Sequence, residues 1–366
     1  MGTSTPIIYL TVTNSLTYDQ RMHRICTSLH NNGYQVYLVG IKRPDSLPDR
    51  PYKQIRLTSW FQKGKLFYLE NHMRLFCFLL FRKAGLLVAN DLDTALPVWL
   101  VSKIRSIPRL MDAHEYFIEM KEVMSRPFVY RIWSGLASFL LPRFPVGYTV
   151  GGLLAKKFKL VYGVEYDVIR NMPLKRNSVD RIASANKFLL YQGAVNQGRG
   201  FETLIPAMRL IPYQLVICGD GNFMDELRAL IKREDVDHRV QLMGMIPPEA
   251  LRDWALRATI GIALPDREGA NQYLALTNKF FNYIEAGLPQ ITYRYPEYDA
   301  INNQFPVAML LNETDPESVS KAVNDLMDDE SRRMSMTNAC IQAREVYCWE
   351  NEEVKLLSIY KRQFQR

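Results

Sequence analysis

The start of the chain alternates short apolar runs with a segment of helical periodicity. The runs Ile7–Val12 and Gln35–Gly40 predict buried strands, and the segment that begins at about Asp19 predicts a helix between them. Four apolar residues in that segment recur at the spacing of one buried helical face: Met22, Ile25, Cys26 and Leu29. Gly33 stands where a helix commonly ends. The order strand, helix, strand predicts a βαβ unit and therefore a parallel sheet.

The same alternation continues and then starts again in the second half of the chain. Its first part predicts three further strands and a helix: Leu86–Ala89, Arg109–Ala113 and Val146–Val150, with the helix over Thr94–Lys103. Its second part predicts five strands that alternate with helical stretches: Phe188–Gly193, Gln214–Gly219, Val240–Gly244, Ile260–Leu264 and Gln290–Tyr293. We therefore expect an α/β protein with two Rossmann-like domains, each built on a doubly wound parallel sheet.

A polar stretch separates the two series of elements. Residues 172–187 are rich in Pro, Ser, Asn and charged side chains, which is typical of an interdomain linker. With 366 residues the chain also exceeds the size at which one hydrophobic core usually keeps growing. We expect one domain over residues 1–172, a second over residues 187–348, and a closing helix over residues 349–366.

Charge is distributed unequally between the two halves. Up to Arg176 the chain has 25 Lys and Arg against 12 Asp and Glu, a net charge of +13, and the remainder has 21 against 26, a net charge of −5. The aromatic residues of the basic half lie in apolar runs rather than among its cations, so a nucleic-acid partner is not expected. Two aromatic-rich helical stretches, Leu66–Phe81 and Pro127–Leu141, are flanked by basic residues. They either contact an anionic membrane surface or simply cover the first sheet.

Other features of the composition indicate a cytoplasmic protein. No apolar run approaches the ~20 residues that a membrane-spanning helix needs, and the N-terminus lacks the pattern of a secretory signal. The five cysteines are scattered without metal-ligand spacing. We therefore expect reduced thiols, no metal, and a location in the cytoplasm or at the inner face of the cytoplasmic membrane.

Glycines follow two of the strands that are predicted in the second half. The polar and glycine positions after these strands are Gly193, Asn196, Gly198, Arg199 and Gly200, and then Gly219, Asp220 and Gly221. Ligands of open α/β sheets bind at the carboxyl ends of the strands. Glycine lets backbone amides approach an anion, and a guanidinium suits phosphate oxygens. The alternative is a pair of ordinary glycine turns with a solvated arginine.

A later helix of the second half begins with polar residues. Leu276 and Thr277 precede it, and Thr277 is the expected N-cap. Asn282 lies three residues after Lys279 and four after Asn278, which places these side chains on one helical face. That face and the first-turn amides suit a diphosphate and a ribose hydroxyl. The alternative is a capped core helix.

Polar side chains also follow the strands of the first half. Asp19, Gln20 and Arg21 come after the first strand, where they either meet an acceptor or serve as a helix cap and surface charge. His114 and Glu115 follow the strand at Arg109–Ala113.

These motifs together resemble the retaining glycosyltransferases of family four, the bacterial glycosyl transferase group 1 type with the GT-B fold. The Gly198-Arg199-Gly200 loop and the helix start at Asn278-Lys279 carry most of the resemblance, which spans nearly the whole chain. It implies that two domains face each other across a cleft and that the terminal helix returns to the N-terminal domain. It also implies that a nucleotide-sugar donor binds the C-terminal domain and that the acceptor, a glycan or lipid-linked saccharide, binds the N-terminal one.

The resemblance further implies a chemical role for three side chains. Arg199 and Lys279 would hold the leaving diphosphate, and His114 would contact the transferred sugar, with Glu115 beside the acceptor. Transfer would proceed with retention in cell-surface polysaccharide synthesis and would need no cofactor. Asp91 and Asp93 form a pattern that holds a divalent metal in single-domain glycosyltransferases, but the phosphate-suited loops lie in the other half, so a lining or capping role is favoured.

The chain departs from the family pattern at three positions. Leu274 and Asn282 stand where the family has two glutamates, and Ala194 stands where it has a loop arginine. Two other function classes therefore stay open: a sugar-nucleotide epimerase of the same architecture, and a non-catalytic protein that binds nucleotide sugars.

Overall fold

A computed structural model describes residues 5–176, 181–182, 186–266, 273–274 and 276–365. The chain separates into two compact units. The first consists of Met1–Asn171 and Asn351–Arg366, and the second of Met172–Glu350. Parts of the polar stretch that was predicted as a linker, residues 177–180 and 183–185, lie outside the described residues.

The first unit is built on a parallel sheet of seven strands. In chain order they are β1 (Ile7–Thr11), β2 (Gln35–Ile41), β3 (Lys53–Leu57), β4 (Leu86–Asn90), β5 (Arg109–Asp112), β6 (Gly147–Thr149) and β7 (Asp167–Val168). Their order across the sheet is β3-β2-β1-β4-β5-β6-β7. All five residues of β4 are buried, as expected for a strand that is covered on both faces. The chain reverses its direction of winding between β1 and β4.

Helices connect the strands of the first unit. They are α1 (Gln20–Asn31), α2 (Gly64–Leu80), α3 (Leu92–Arg105), the single turn α4 (Lys121–Met124), α5 (Pro127–Leu140) and α6 (Gly152–Tyr162). The amphipathic face of α1 buries the four apolar residues that the sequence places on it: Met22, Ile25, Cys26 and Leu29. Burial of such a face, rather than intrinsic propensity, supplies most of the stability of a helix of this length.

The second unit is built on a parallel sheet of six strands. They are β8 (Phe188–Gln192), β9 (Gln214–Cys218), β10 (Val240–Gly244), β11 (Ile260–Ala263), β12 (Gln290–Tyr293) and β13 (Ala308–Leu311). Their order is β10-β9-β8-β11-β12-β13, so the winding reverses between β8 and β11. Alternate residues of β8 enter two separate hydrophobic clusters, Leu189 in one and Leu190 in the other. The sheet is therefore covered on both faces.

The helices of the second unit follow its strands. They are α7 (Phe201–Ala207), α8 (Met224–Arg233), α9 (Pro248–Arg257), α10 (Asn278–Glu285), α11 (Pro296–Gln304), α12 (Pro316–Asp328) and α13 (Glu330–Val346). Glu285 at the end of α10 is buried and pairs with Arg252 of α9 at 3.0 Å and with Arg344 of α13 at 3.5 Å. These ion pairs fix α10 between two neighbouring helices.

The closing helix, α14 (Trp349–Phe364), belongs to the first unit from Asn351 onward. The hydroxyls of Tyr360 and Tyr148 lie 3.1 Å apart, and the ring of Phe364 stacks on Tyr34. The predicted fold class, two parallel-sheet Rossmann-like domains with a terminal helix that returns to the first, is confirmed. The sequence pattern missed the edge strands β3, β7 and β13, which are short or largely polar.

Candidate functional site

The winding of the second sheet reverses between β8 and β11, and two glycine-rich loops meet at this sheet reversal. Gly193 follows β8, Gly219 follows β9, and Leu264 follows β11, which is the other neighbour of β8. In open α/β sheets the connections on either side of a reversal leave on opposite faces, and this opens a crevice at the carboxyl ends of the strands. The loops that the sequence singled out therefore occupy the expected ligand position.

Glycine is required in these loops because backbone meets backbone. A Cβ at Gly219 would lie 1.9 Å from the carbonyl oxygen of Gly193, and one at Gly200 would lie 1.9 Å from that of Leu264. A Cβ at Gly221 would lie 2.2 Å from the oxygen of Val195. No side chain fits at these distances, so the glycines allow the loops after β8, β9 and β11 to touch.

Hydrogen bonds then fix the first two loops to each other. Val195 N donates to Asp220 O at 3.0 Å, and Asn222 N donates to Asn196 Oδ1 at 3.1 Å. Asp220 accepts from the amide of Gly221 at 2.7 Å. Asn196 and Asp220, which the sequence predicts to bind the nucleotide-sugar donor, thus also fix the conformation of the two loops. Gly198 and Gly200 adopt left-handed φ values of 82° and 76°, which only glycine tolerates at low cost.

Lys279 reaches from the first turn of α10 over the end of β8. Its Nζ lies 3.8 Å from the centroid of the Tyr191 ring, and a Cβ at Gly193 would lie 3.6 Å from its Cε. The aromatic face attracts the ammonium group and the glycine leaves room for its stem. The cation is thus held directly above the turn that follows β8.

The positive charge of Arg199 acts on Lys279 and on the tyrosines around it. Burial and the positive charge of Arg199 lower the pKa of Lys279 well below its usual value. The charge of Arg199 also acts on the hydroxyls of Tyr191 and Tyr298, lowering the pKa of each against the larger effect of burial. No carboxylate in the described part of the chain pairs with either cation. Two like charges held together in this way favour an anionic ligand.

The start of α10 differs from the prediction in one detail. Thr277 occupies the N-cap position, but its side chain makes no hydrogen bond to the first-turn amides. Leu276 is buried in the core, whereas Asn278 is exposed and Asn282 lies partly exposed one turn later. Of the residues that precede this helix, 271–272 and 275 lie outside the described part of the chain.

In the first unit, His114 pairs with a carboxylate at the end of the neighbouring strand. Its Nε2 lies 3.1 Å from Asp91 Oδ2, and its Nδ1, which is buried and has no hydrogen-bond partner among the described residues, lies 3.9 Å from Asp112 Oδ1. The amide of Glu115 donates to Asp91 Oδ1 at 3.2 Å. The imidazole nitrogens thus face the protein, and the contact of His114 with a sugar stays a prediction.

Asp91 and Asp93 lie close together at the same edge of the first sheet. Burial and the charges of Glu115, Asp93 and Asp112 raise the pKa of Asp91 well above its usual value. Burial, partly offset by the hydrogen bond from Thr13, raises the pKa of Asp93 to about 7. Within the described residues, no three His, Cys, Asp or Glu side chains are arranged to hold a metal ion.

Arg21 does not lie at the mouth of the first turn, where it was expected to meet an acceptor. It is only 4% exposed, and its Nε and Nη2 donate to the two oxygens of Asp112 at 3.0 and 2.8 Å. Asp19 caps α1 by accepting from Met22 N at 3.0 Å, and Gln20 is exposed. The inward position of Arg21 follows from its neighbours, because it adjoins the buried face of α1.

Comparison with known proteins identifies a family whose sequence pattern the second unit matches. Residues 176–343 match the family model described as glycosyl transferases group 1. The match covers most of the second unit, which is thus similar to the glycosyl transferases of group 1. This confirms the resemblance that the loop and helix motifs indicated.

Curated relatives match the chain only in part. A D-inositol 3-phosphate glycosyltransferase from Corynebacterium urealyticum is 24% identical over 164 residues, which cover 43% of this chain and 37% of the relative. An N-acetylgalactosamine-N,N'-diacetylbacillosaminyl-diphospho-undecaprenol 4-alpha-N-acetylgalactosaminyltransferase from Campylobacter jejuni is 33% identical over 81 residues, 22% of each chain. The matches thus span about a third and a fifth of the relatives' own lengths.

Solved structures match the chain over nearly its whole length. A sucrose-phosphate synthase from Thermosynechococcus elongatus has a TM-score of 0.81 at 16% identity, with 98% of this chain and 99% of that chain covered. The Anabaena protein HepE in complex with UDP and glucose has a TM-score of 0.74 at 12% identity, covering 98% and 100%. At these identities the match establishes the fold alone.

Two aromatic side chains of this candidate site are absent from the residues that the sequence pattern predicts for it. Tyr191 supplies the ring beneath Lys279, and Tyr298 contacts Thr277 at the start of α10. A signal for Tyr298 exists in the sequence, because Tyr293 ends a buried strand and two further tyrosines, Tyr295 and Tyr298, follow it directly. Buried tyrosines usually find a hydrogen-bond partner, so such a cluster marks polar contacts inside a core.

Proposed function

We propose that the chain transfers a sugar from a nucleotide-sugar donor to a glycan or lipid-linked acceptor, with retention of the anomeric configuration. The donor diphosphate binds the second unit at the loops after β8 and β9 and at the start of α10. HepE supports the donor class through its complex with UDP and glucose, and the Campylobacter relative supports the acceptor class through the diphospho-undecaprenol in its name. A role in cell-surface polysaccharide synthesis fits both.

The observation that carries this proposal is the pair of cations at the sheet reversal. Arg199 and Lys279 repel each other, and no carboxylate in the described residues balances them. A diphosphate carries the charge that would relieve this repulsion, and charge-assisted hydrogen bonds are the strong ones in proteins. The glycine loops let it approach the backbone closely.

The same cations suit the chemical step. The bond between the anomeric carbon and the diphosphate oxygen breaks, and a bond from the acceptor oxygen to that carbon forms on the same face. Arg199 and Lys279 stabilise the negative charge that develops on the leaving diphosphate. The acceptor hydroxyl loses its proton to the departing diphosphate oxygen, so the step balances without another base. His114 of the first unit is the proposed contact to the transferred sugar.

The test is a screen for the donor followed by a turnover assay. UDP-, GDP-, ADP- and CMP-sugars are compared by thermal shift, and a specific ligand at 100 times its Kd is expected to add about 2.7 kcal/mol of stability. The stabilising donor is then incubated with and without a panel of saccharide acceptors. Transfer that depends on the acceptor supports the proposal. Conversion of donor alone would indicate an epimerase, and binding without turnover a nucleotide-sugar binder.

We also propose that the first unit contacts an anionic membrane through what we term its basic-aromatic face. This face comprises Trp60, Lys65, Leu66, Leu69, Met73, Phe128, Arg131 and Ile132, all exposed. Lys65 Nζ lies 4.3 Å from the centroid of the Phe128 ring, so the beginnings of α2 and α5 are adjacent. None of the helices in the described residues is long and apolar enough to span a bilayer. Such a face suits interfacial binding, where apolar burial and charge attraction add.

Vesicle sedimentation tests the basic-aromatic face. The protein is expected to bind phosphatidylglycerol vesicles more tightly than phosphatidylcholine vesicles. Lys65→Gln and Arg131→Gln should each weaken that binding roughly fivefold, since a basic residue near the headgroups contributes about 1 kcal/mol. Leu160→Ser, at an exposed apolar position on α6 outside this face, is the control and should bind as the wild type does. Equal binding to both vesicle types would contradict the proposal.

A further inference from the structure

The N-cap residue of α10 is in place but does not cap. Thr277 has the extended backbone of an N-cap, with φ −77° and ψ 143°, yet its hydroxyl makes no hydrogen bond to the amides of the first turn. A threonine at this position normally accepts from the second or third helical amide; here Phe280 N already donates to Thr277 O at 3.1 Å, which leaves Lys279 N as the amide to be capped. Another hydrogen bond must therefore engage the Thr277 hydroxyl.

Tyr298 of α11 holds it. The Tyr298 hydroxyl donates to Thr277 Oγ1 at 3.1 Å and accepts from Thr277 N at 3.2 Å. The tyrosine is 1% exposed, and its ring stacks on Phe280 of α10 with a centroid distance of 4.5 Å. Burial raises the pKa of Tyr298, so the hydroxyl stays protonated and able to donate at neutral pH.

The position of this contact relates it to the cation pair. Thr277 lies two residues before Lys279 on the chain, and the charge of Arg199 reaches the Tyr298 hydroxyl. A threonine hydroxyl that turned back to the first-turn amides would occupy the place where those amides meet an anion. It would satisfy the helix end internally and compete with any ligand.

We infer that Tyr298 is a positioning residue of the donor site: its hydroxyl withholds the Thr277 side chain from the start of α10 and keeps that helix end open to the donor diphosphate. The inference rests on the proposed function, because it requires the diphosphate to bind beside Lys279. It assigns to a buried tyrosine, which touches neither the donor nor the reacting atoms, control over the affinity of the site.

A double-mutant cycle tests the inference. Tyr298→Phe keeps the stacked ring and frees the threonine hydroxyl to cap the helix. Its Kd for the donor that stabilises the wild type, and for inorganic pyrophosphate, is expected to rise roughly tenfold, the worth of one charge-assisted hydrogen bond. Thr277→Ala removes the competing hydroxyl and should bind within about twofold of wild type. The double variant should also bind within about twofold of Thr277→Ala, so that the second change rescues the first.

The rescue separates this role from a structural one. If Tyr298 only supported the fold, or if the lost acceptor for Thr277 N caused the weaker binding, the double variant would stay as weak as Tyr298→Phe. That result would overturn the inference, and so would unchanged affinity in Tyr298→Phe. Wild-type protein that binds neither the donor nor pyrophosphate would instead refute the proposed donor site, and the inference with it.

Discussion

Lys279→Met is expected to weaken binding of the nucleotide-sugar donor by about 1.5 to 3 kcal/mol, or roughly tenfold to 150-fold, the usual worth of a hydrogen bond to a charged group. Methionine keeps the length of the side chain above Gly193 and Tyr191 and removes only the positive charge and the N–H groups of the ammonium. Arg199→Ala should weaken donor binding by a similar amount. Isothermal titration calorimetry measures both losses.

The two losses should not simply add. Arg199 lowers the pKa of Lys279, so its removal makes Lys279 easier to protonate and partly compensates the loss. The double variant has no Lys279 left to compensate, so it should lose more than the sum of the single variants.

The pH dependence of binding distinguishes the charge of Lys279 from its bulk. A bound diphosphate raises the lowered pKa of Lys279, so binding takes up a proton between the free and bound pKa values. Wild-type affinity should fall as the pH rises through that interval, and the affinity of Lys279→Met should not. Lys232→Ala, which removes an exposed cation from α8 of the same unit, is the control and should behave as wild type. Unchanged affinity in Lys279→Met would contradict the donor site.

The fold could be predicted because its signals are local. Apolar runs such as Leu86–Ala89 fall on fully buried strands, and the spacing within α1 gives its buried face. The edge strand β3, with the sequence KQIRL, carries no such signal because its residues are exposed or only partly buried. Edge strands often carry polar residues, which hides them from a search for apolar runs.

The site could be predicted only as far as its parts lie close in sequence. Arg199 and Lys279 are 80 positions apart, and it was the family resemblance that predicted one diphosphate for both. The ion pair of Arg21 with Asp112 joins residues 91 positions apart, and nothing local to Arg21 reveals it. The hydrogen bonds between Tyr298 and Thr277 likewise join residues from different elements, and nothing local to Thr277 reveals them. Local preference identifies an N-cap, and tertiary contact decides whether it caps.

Gly219→Ala is expected to abolish or severely weaken donor binding. A GxG turn is weak evidence on its own, but the structure shows what this one does. The φ of Gly219 lies outside the left-handed region, so the need for glycine there comes from space alone: an added Cβ would lie 1.9 Å from Gly193 O. The clash is with backbone, which no side-chain rotation relieves. Gly193 must therefore move, and the turn after β8 that lies beneath the Lys279 side chain moves with it.

The expected loss exceeds the cost of ordinary overpacking, about 1 to 3 kcal/mol, because the displaced atom belongs to the proposed diphosphate site itself. Calorimetric titration with the donor measures the affinity, and thermal unfolding shows whether the second unit still folds. Gly135→Ala on α5 is the matched control, since the same methyl there meets nothing within 4 Å. It should leave affinity unchanged and raise helix stability slightly. A folded Gly219→Ala variant with wild-type affinity would mean that the β8 and β9 loops can separate without loss, and that their close contact does not shape the site.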